Sequence, residues 1–293
     1  MELEQLRALV AVVDHGTFDS AAVALHVTPS AISQRIKALE AGAGSVLLRR
    51  SRPVRPTEQG ELLLRSARQL LVLADEALLL LRAGGDTEGA DRAGRLRVPI
   101  VVNADSIATW FVAAVIEIGR DGRIELEVRR DDEHVTADLL RSGEVMGAVT
   151  ADPSPVQGCA VRRLGTMTYR AKASRRFART WFPHGATSAA LASAPVVQYD
   201  RKDLHQNRLL ARLAPAARPP QVFVPDSVQF VECVRAGVGW AMVPDLQDPD
   251  DSLVTLDDAW SHPVELYWQT WKIASPGLDC VTGAVVRAAA SLR

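Results

Sequence analysis

TFDSAAVALHVTPSAISQRIKALE, from Thr17 to Glu40, reads as two short helices joined by a tight turn. Thr17 is placed to cap a first helix running from Phe18 to Leu25. His26-Val27 breaks the pattern, Thr28 can cap a second helix, and Pro29 falls at its first position, where a missing N–H costs nothing. At about 100° per residue Ile32, Ile36 and Leu39 form one apolar stripe. Ser30, Gln34 and Lys37 fall roughly opposite, with Ser33 beside them. Hydroxyls, a bidentate amide and a cation suit phosphates and base edges in a major groove. An ordinary amphipathic helix pair would show the same stripe, so the flanking sequence has to decide.

The next residues carry that decision. After Ala41-Gly42-Ala43-Gly44-Ser45 the segment Val46 to Thr57 reads as two short strands forming a wing. It holds Arg49, Arg50, Arg52 and Arg55 and no carboxylate between Leu47 and Thr57. A helix-turn-helix followed at once by an arginine wing is the electrostatic footprint of a protein that binds a polyanion. On this reading double-stranded DNA is met by Thr28, Pro29, Ser30, Ser33, Gln34 and Lys37 from the helix and by Arg49, Arg50 and Arg52 from the wing.

Upstream, Leu3 to Asp14 reads as a helix with Leu6, Leu9, Val10 and Val13 facing a small three-helix core. Downstream, Thr57 can cap a long helix whose first turn carries Glu58 and Glu61, favourable at the positive end of a helix dipole. Gly60 stands where a full capping box would have an acid. Leu63, Ala67, Leu70, Ala74, Ala77 and Leu81 step by 4, 3, 4, 3 and 4, a heptad seam widened by Leu64, Leu71 and Leu78. Such a seam pairs two subunits, or else packs the helix on its own domain. Residues 83–91, with three glycines among Asp86, Glu88 and Asp91, read as a linker.

The 293 residues predict about two domains at roughly 150 residues each. A formal net charge of −1 means that any affinity for DNA arises from local basic patches rather than the whole molecule. The opening Met-Glu-Leu-Glu has neither the basic start nor the apolar core of a signal peptide, and Asp75 and Glu76 interrupt the leucine-rich stretch 70–81. No membrane span is expected. Cys159, Cys233 and Cys280, odd in number and far apart, suggest reduced thiols in a cytoplasmic protein.

Beyond the linker the pattern alternates. Residues 96–102, 124–128 and 145–149 read as strands, with helices over 106–118 and about 133–142 between them. Further strands are expected at 169–173, 194–199, 221–224, 240–244 and 266–273, with helices at 227–236 and about 278–292. The alternation predicts an α/β domain with a mainly parallel, doubly wound sheet. Open sheets of this kind bind small molecules at the carboxyl ends of their strands. There lie Asn103, Asp105 and Ser106, then Asp131, Asp132 and Glu133, then Thr150, Tyr199 and Ser227. Each is either a ligand contact or a helix cap, but so many acids at strand ends suit a cationic ligand.

Catalytic motifs are missing. No G-x-S-x-G, H-E-x-x-H, Walker loop or G-x-G-x-x-G occurs, and the six histidines have no ligand spacing, so neither an enzyme, nor a metal site, nor a cofactor is expected.

The chain resembles a known family. Leu6-Arg7-Ala8-Leu9, Gly16-Thr17-Phe18, Ala21-Ala22, Thr28 to Gln34, Lys37 to Glu40, Leu48-Arg49-Arg50 and Thr57 to Gly60 are similar to the N-terminal signature of LysR-type transcriptional regulators. Ala43-Gly44-Ser45 is richer in glycine than is usual there. The resemblance implies a winged helix-turn-helix over 1–57, a dimerisation helix over 58–84, a hinge over 85–94 and a two-lobed effector domain over 95–293 like a periplasmic binding protein. Lobe I would be 95–164 plus 268–293, and lobe II 165–267. Asn103-Ala104-Asp105-Ser106, Thr109-Trp110-Phe111, Asp131-Asp132-Glu133, Gly143-Glu144-Val145, Leu164-Gly165 and Tyr267-Trp268-Gln269 further resemble the branch that answers to lysine or arginine. That implies a homodimer or homotetramer on operator DNA, activating a basic-amino-acid exporter gene through RNA polymerase when the effector binds. An architectural protein of chromosomes or replication origins could share the same fold.

Overall fold

The computed structural model describes residues 1–83, 95–130 and 133–292, without the side chains of residues 82–83 and 133–135. Three helices, α1 (Leu3–His15), α2 (Phe18–Ala24) and α3 (Pro29–Ala43), enclose the buried Leu6, Leu9, Val12, Ala21, Ile32, Ile36 and Leu39. Both expected caps form: Thr17 Oγ1 accepts from the Ser20 N–H at 3.0 Å and Thr28 Oγ1 from the Ala31 N–H at 3.2 Å. Gly44, left-handed at φ 68°, ends α3, which accounts for the glycine-rich turn.

The wing is an antiparallel pair, β1 (Leu48–Arg49) and β2 (Arg55–Pro56). Glu40 Oε1 accepts from the Leu47 N–H at 2.9 Å and so ties the wing to the end of α3. The long helix α4 (Glu58–Ala83) follows, capped by Thr57 Oγ1, which accepts from the Gly60 N–H at 3.0 Å. The missing acid of the capping box has a steric reason: a Cβ on Gly60 would stand 2.0 Å from the Leu47 carbonyl oxygen.

The expected heptad seam is divided between two faces of α4. Leu64, Ala67 and Leu71 are buried against the chain's own three-helix core, while Leu62, Leu70, Leu78, Leu80 and Leu81 are exposed. Heptad spacing cannot separate two adjacent apolar stripes on one helix, because the same leucines count toward both. Arg7 and Asp75 add an ion pair at 2.5 Å between α1 and α4. The linker expected over 83–91 lies outside the described residues apart from Ala83, which ends α4.

The second half opens with three parallel strands, β3 (Leu96–Val102), β4 (Ile124–Arg130) and β5 (Gly147–Thr150). They are linked by α5 (Ala104–Ile107), α6 (Phe111–Asp121) and α7 (Glu133–Ser142). The single helix expected over 106–118 is two, broken at 108–110, where buried Trp110 Nε1 donates to Ser106 Oγ at 3.0 Å. Then come β6 (Cys159–Ala173), α8 (Arg175–Trp181), α9 (Ser188–Ser193), β7 (Val196–Gln198), α10 (His205–Leu213), β8 (Gln221–Phe223) and α11 (Ser227–Arg235). The chain closes with β9 (Ala241–Pro244), β10 (Val254–Thr255), β11 (Ser261–Trp271) and α12 (Pro276–Ala288).

The sheet is mixed rather than mainly parallel. Its order is β10-β6-β11-β5-β3-β4, with β9 also on β6, and only the pairings of β3 with β4 and β5 are parallel. β6 and β11 are far longer than the strands expected at 169–173 and 266–273, and they pair antiparallel throughout. Alternating hydrophobicity does not show which way a partner strand runs, so this ribbon is invisible until the chain is folded. Its register slips between Leu266 and Tyr267, where the partners step from Gly165 to Arg163. β7 and β8 form a separate parallel pair.

Gly60→Ala is expected to lower stability by about 1–3 kcal/mol, because the wing must move away from α4. Urea unfolding followed by circular dichroism would show an earlier first transition; an unchanged midpoint would mean the contact is not tight.

Candidate functional site

Two surfaces carry functional chemistry. The first is the exposed face of α3 and the wing. Thr28, Pro29, Ser30, Gln34 and Lys37 are exposed and Ser33 is half-buried, while Ile32, Ile36 and Leu39 hold the helix from below. The hydroxyls of Thr28 and Ser30 are 3.0 Å apart at the start of α3, where unpaired N–H groups favour an anion. Arg49, Arg50, Arg52 and Arg55 are all exposed. The wing is held in place by the Val54 N–H, which donates to Gly16 O at 2.8 Å. Between it and the α1–α2 turn lies a concavity of about 650 Å³ lined by Thr17, Ser33, Arg50 and Arg52 among others. Glu40 is occupied with the wing backbone, while exposed Asp19 lines the same concavity as Arg50 and Arg52.

The second surface is a cleft of about 680 Å³ beyond the ends of β3, β4 and β5. Asp105 is among the residues that line it. Its Oδ2 accepts from the Tyr169 hydroxyl at 2.7 Å, and its Oδ1 accepts from the Ser227 hydroxyl, so one carboxylate joins α5 to β6 and α11. Ser227 Oγ in turn accepts from Gln247 Nε2 at 2.9 Å. The Tyr169 ring is stacked on His205, with centroids 4.4 Å apart, and His205 leads on to His262 at 5.3 Å. Arg130, Lys202 and Arg208 face the cleft together with Asp105, Asp200, Asp203 and Glu265. The wall is therefore bipolar rather than simply acidic.

Not every expected residue takes part. Asn103 lines the cleft, and its Oδ1 accepts from the Ser106 N–H at 3.1 Å as a cap for α5. Ser106 is fully buried and its hydroxyl is spent on Trp110. Thr150 Oγ1 accepts from the Asp152 N–H at 3.0 Å, closing the turn after β5. Tyr199 lines the cleft, and burial raises its phenol above the usual range. Asp131 and Asp132 lie outside the described residues, as does the side chain of Glu133, which begins α7. Among the described residues no cluster of His, Cys, Asp and Glu could hold a metal ion.

Sequence reasoning missed Tyr169, Arg130, Asp203 and His205. Arg130 adjoins the expected acids and could have been found from that position. Tyr169 could not, because only the length of β6 carries it to the cleft. Asp203 accepts from the His205 N–H at 2.9 Å, yet burial, its dominant influence, raises its carboxyl above the ordinary range. Burial also lowers His262, helped by the charges of His205 and Arg208. Both shifts penalise the charged form of a group that faces the cavity.

With this geometry in view, residues 3–61 match the bacterial regulatory helix-turn-helix proteins of the lysR family and residues 89–289 match the LysR substrate binding domain. The chain belongs to the LysR family. Among its LysR relatives, the HTH-type transcriptional regulator LysG of Mycobacterium tuberculosis strain H37Rv is 45% identical over 98% of this chain and 93% of its own. The lysine export transcriptional regulatory protein LysG of Corynebacterium glutamicum is 36% identical over 97% of each. A solved structure of full-length LysG from C. glutamicum with the effector Arg bound superposes with a TM-score of 0.82, at 36% identity and covering 100% of both chains. Among the described residues of this LysR chain no helix is long and apolar enough to cross a membrane.

A raised carboxyl has a stability signature. In the folded chain Asp203 holds its proton at a pH where the unfolded chain has released it, so the stability it contributes is full at low pH and falls as pH rises through the folded value. Asp203→Asn is expected to be more stable than the wild type near neutral pH, with the gain fading below the ordinary carboxylate range. Thermal melting across pH without amino acids checks this; a gain independent of pH would mean the shift is not the cause.

Proposed function

We propose that this chain is a cytoplasmic transcription regulator that senses a basic amino acid, lysine or arginine, and activates the gene of an exporter for it. The observation that carries this reading is the bipolar cleft around Asp105. A basic amino acid brings one carboxylate and two cations, so it needs one cationic and two anionic surroundings. Arg130 is suited to the carboxylate. Asp105 and Asp203 are suited to the two cations; Asp131, Asp132 and Glu133, which follow Arg130 in the sequence, are further candidates for acceptors. The unfavourable burial of Asp203 supports this role, since a bound cation would relieve it. The effector Arg in the C. glutamicum relative and its naming for lysine export support the ligand class. An architectural protein of chromosomes or replication origins would have no use for such a cleft.

In this reading residues 1–57 hold the operator and 58–84 join subunits through the exposed leucine face of α4. The hinge expected over 85–94 lies outside the described residues, and residues 95–164 with 268–293 and residues 165–267 are the two lobes that close on the effector. Gln34 and Lys37 enter the major groove, with Thr28, Ser30 and Ser33 beside them. Arg49, Arg50 and Arg52 lie along phosphates. Closure biases the equilibrium between two arrangements of the oligomer and thereby the DNA contacts that RNA polymerase meets.

On the DNA side, Arg50→Ala is expected to weaken binding to specific and random DNA alike and to lower the salt slope by about one ion. Affinities measured between low and moderate salt decide it, and an unchanged slope removes Arg50 from the phosphate contacts. On the effector side, calorimetry should show lysine and arginine binding and norleucine, which lacks the side-chain cation, binding at least about tenfold more weakly. Asp203→Asn should narrow that difference while leaving the protein folded. Equal affinity for lysine and norleucine would overturn the proposed effector.

A further inference from the structure

The linker helix α4 is tied to the effector half of its own chain by three charged side chains that end largely on backbone groups. Arg65 donates to the Gln157 carbonyl, just before β6. Arg68, which is 8% exposed, donates to the Ser142 carbonyl at 2.6 Å where α7 ends, and to Asp14 on α1. Glu76, 4% exposed, accepts through Oε1 from the Ser275 hydroxyl at 2.6 Å and the Gly277 N–H at 3.2 Å. Ser275 and Gly277 form the start of α12, so a carboxylate from the DNA-binding half occupies the positive end of a helix in the effector half. Burying a carboxylate is costly unless donors meet it; these two meet Oε1 only while α4 and α12 stay together, and the buried Oε2 has no hydrogen-bond partner. The fit is close: a Cβ on Gly277 would lie 2.9 Å from Glu76 Oε1.

The other end of α12 leads to the crossover between β6 and β11. Leu292, just past the helix, covers Gly165 so closely that a Cβ there would lie 2.4 Å from Leu292 Cβ. Gly165 is opposite Leu266, where the register of the ribbon slips. A rotation of one lobe against the other must bend β6 and β11, and the slipped register is the place where their pairing is already interrupted. Between these ends α12 is one continuous packed helix, with Leu278, Val281, Ala284 and Val285 buried. A helix of 13 residues spans about 20 Å, so it reaches from the crossover to the linker helix without an intermediate.

We propose that α12 is the lever by which lobe closure acts on the linker helix, with Gly165 and Leu292 at the lobe crossover and buried Glu76 as the coupling on α4. Arg65 and Arg68 fix the fulcrum by holding α4 to lobe I. This rests on the effector reading above. Motion at the crossover displaces α12 as a body, because a close-packed interior does not absorb it, and Glu76 passes the displacement to the helix that carries the DNA reader.

The test uses the full-length chain, L-arginine, and a DNA fragment selected by the wild type from random sequences. Two variants interrupt the coupling: Glu76→Gln removes the charge, and Gly277→Ala pushes the carboxylate away with a single methyl. Both should bind arginine within about twofold of the wild type in the absence of DNA. The ratio of DNA affinities with and without saturating arginine should collapse toward one, a loss of at least about fivefold in coupling. Variants that keep the wild-type ratio and merely melt earlier would overturn the lever and leave Glu76 a structural cap. A wild type that binds arginine with no change in DNA affinity would overturn it equally. A wild type that binds neither arginine nor lysine overturns the effector reading itself, and the lever falls with it. Gly277→Ala keeps the test decisive if Glu76→Gln folds poorly, because an alanine in place of glycine within a helix is otherwise favourable.

Discussion

Antiparallel pairing between β6 and β11 is the constraint on which the effector half depends. Each strand is long enough to serve both sides of the domain: β11 pairs with β5 near its end, and β6 with β9 and β10 near its own. The cleft exists because these two strands alone, among the described pairings, join the β3–β5 region to the β9–β10 region. Tyr169 reaches Asp105 because β6 continues without a break past the slip in register. Had the two regions been joined by several strands, the cleft would be a fixed groove.

Charge is distributed with the same economy. A net charge of −1 leaves no overall field for DNA, and the wing supplies a local one through the exposed Arg49, Arg50, Arg52 and Arg55. Glu40, at the end of α3, is turned instead to the Leu47 N–H, so its carboxylate serves the wing backbone. In the cleft the economy is reversed. Asp203 is buried at a cost that its own hydrogen bond from the His205 N–H does not offset. Retaining such a group makes sense at a binding site, where stability and function commonly compete.

The linker helix serves several ends at once, which is why its composition is so apolar. Leu64, Ala67 and Leu71 face the three-helix core, and the exposed leucines form another face. Arg65, Arg68 and Glu76 meet the effector half. A helix presents a new side every residue or two, so three distinct faces fit on one element without competing.

How much of this could be read without coordinates follows from the range of the interactions. Local ones were legible. The caps at Thr17, Thr28 and Thr57 and the buried stripe of Ile32, Ile36 and Leu39 each depend on residues within one or two turns, and the sequence of the first sixty residues determined them. The alternation of β3, α6, β4, α7 and β5 was legible for the same reason, as was the general position of a cleft at their ends. Direction and partnership were not. That the sheet is mixed, that Gly60 makes room for the Leu47 carbonyl, and that Asp105 meets Tyr169 and Ser227 all involve residues far apart in the chain or a backbone approach that no periodicity records. Glu76 is the clearest case: in sequence it is an interruption in a leucine run, and only folding brings it to Ser275 and Gly277. The sequence determined which elements form and which faces are greasy or charged, because those are short-range properties. The tertiary structure decided which of those faces meet, because that is settled by loop closure and packing over the whole chain.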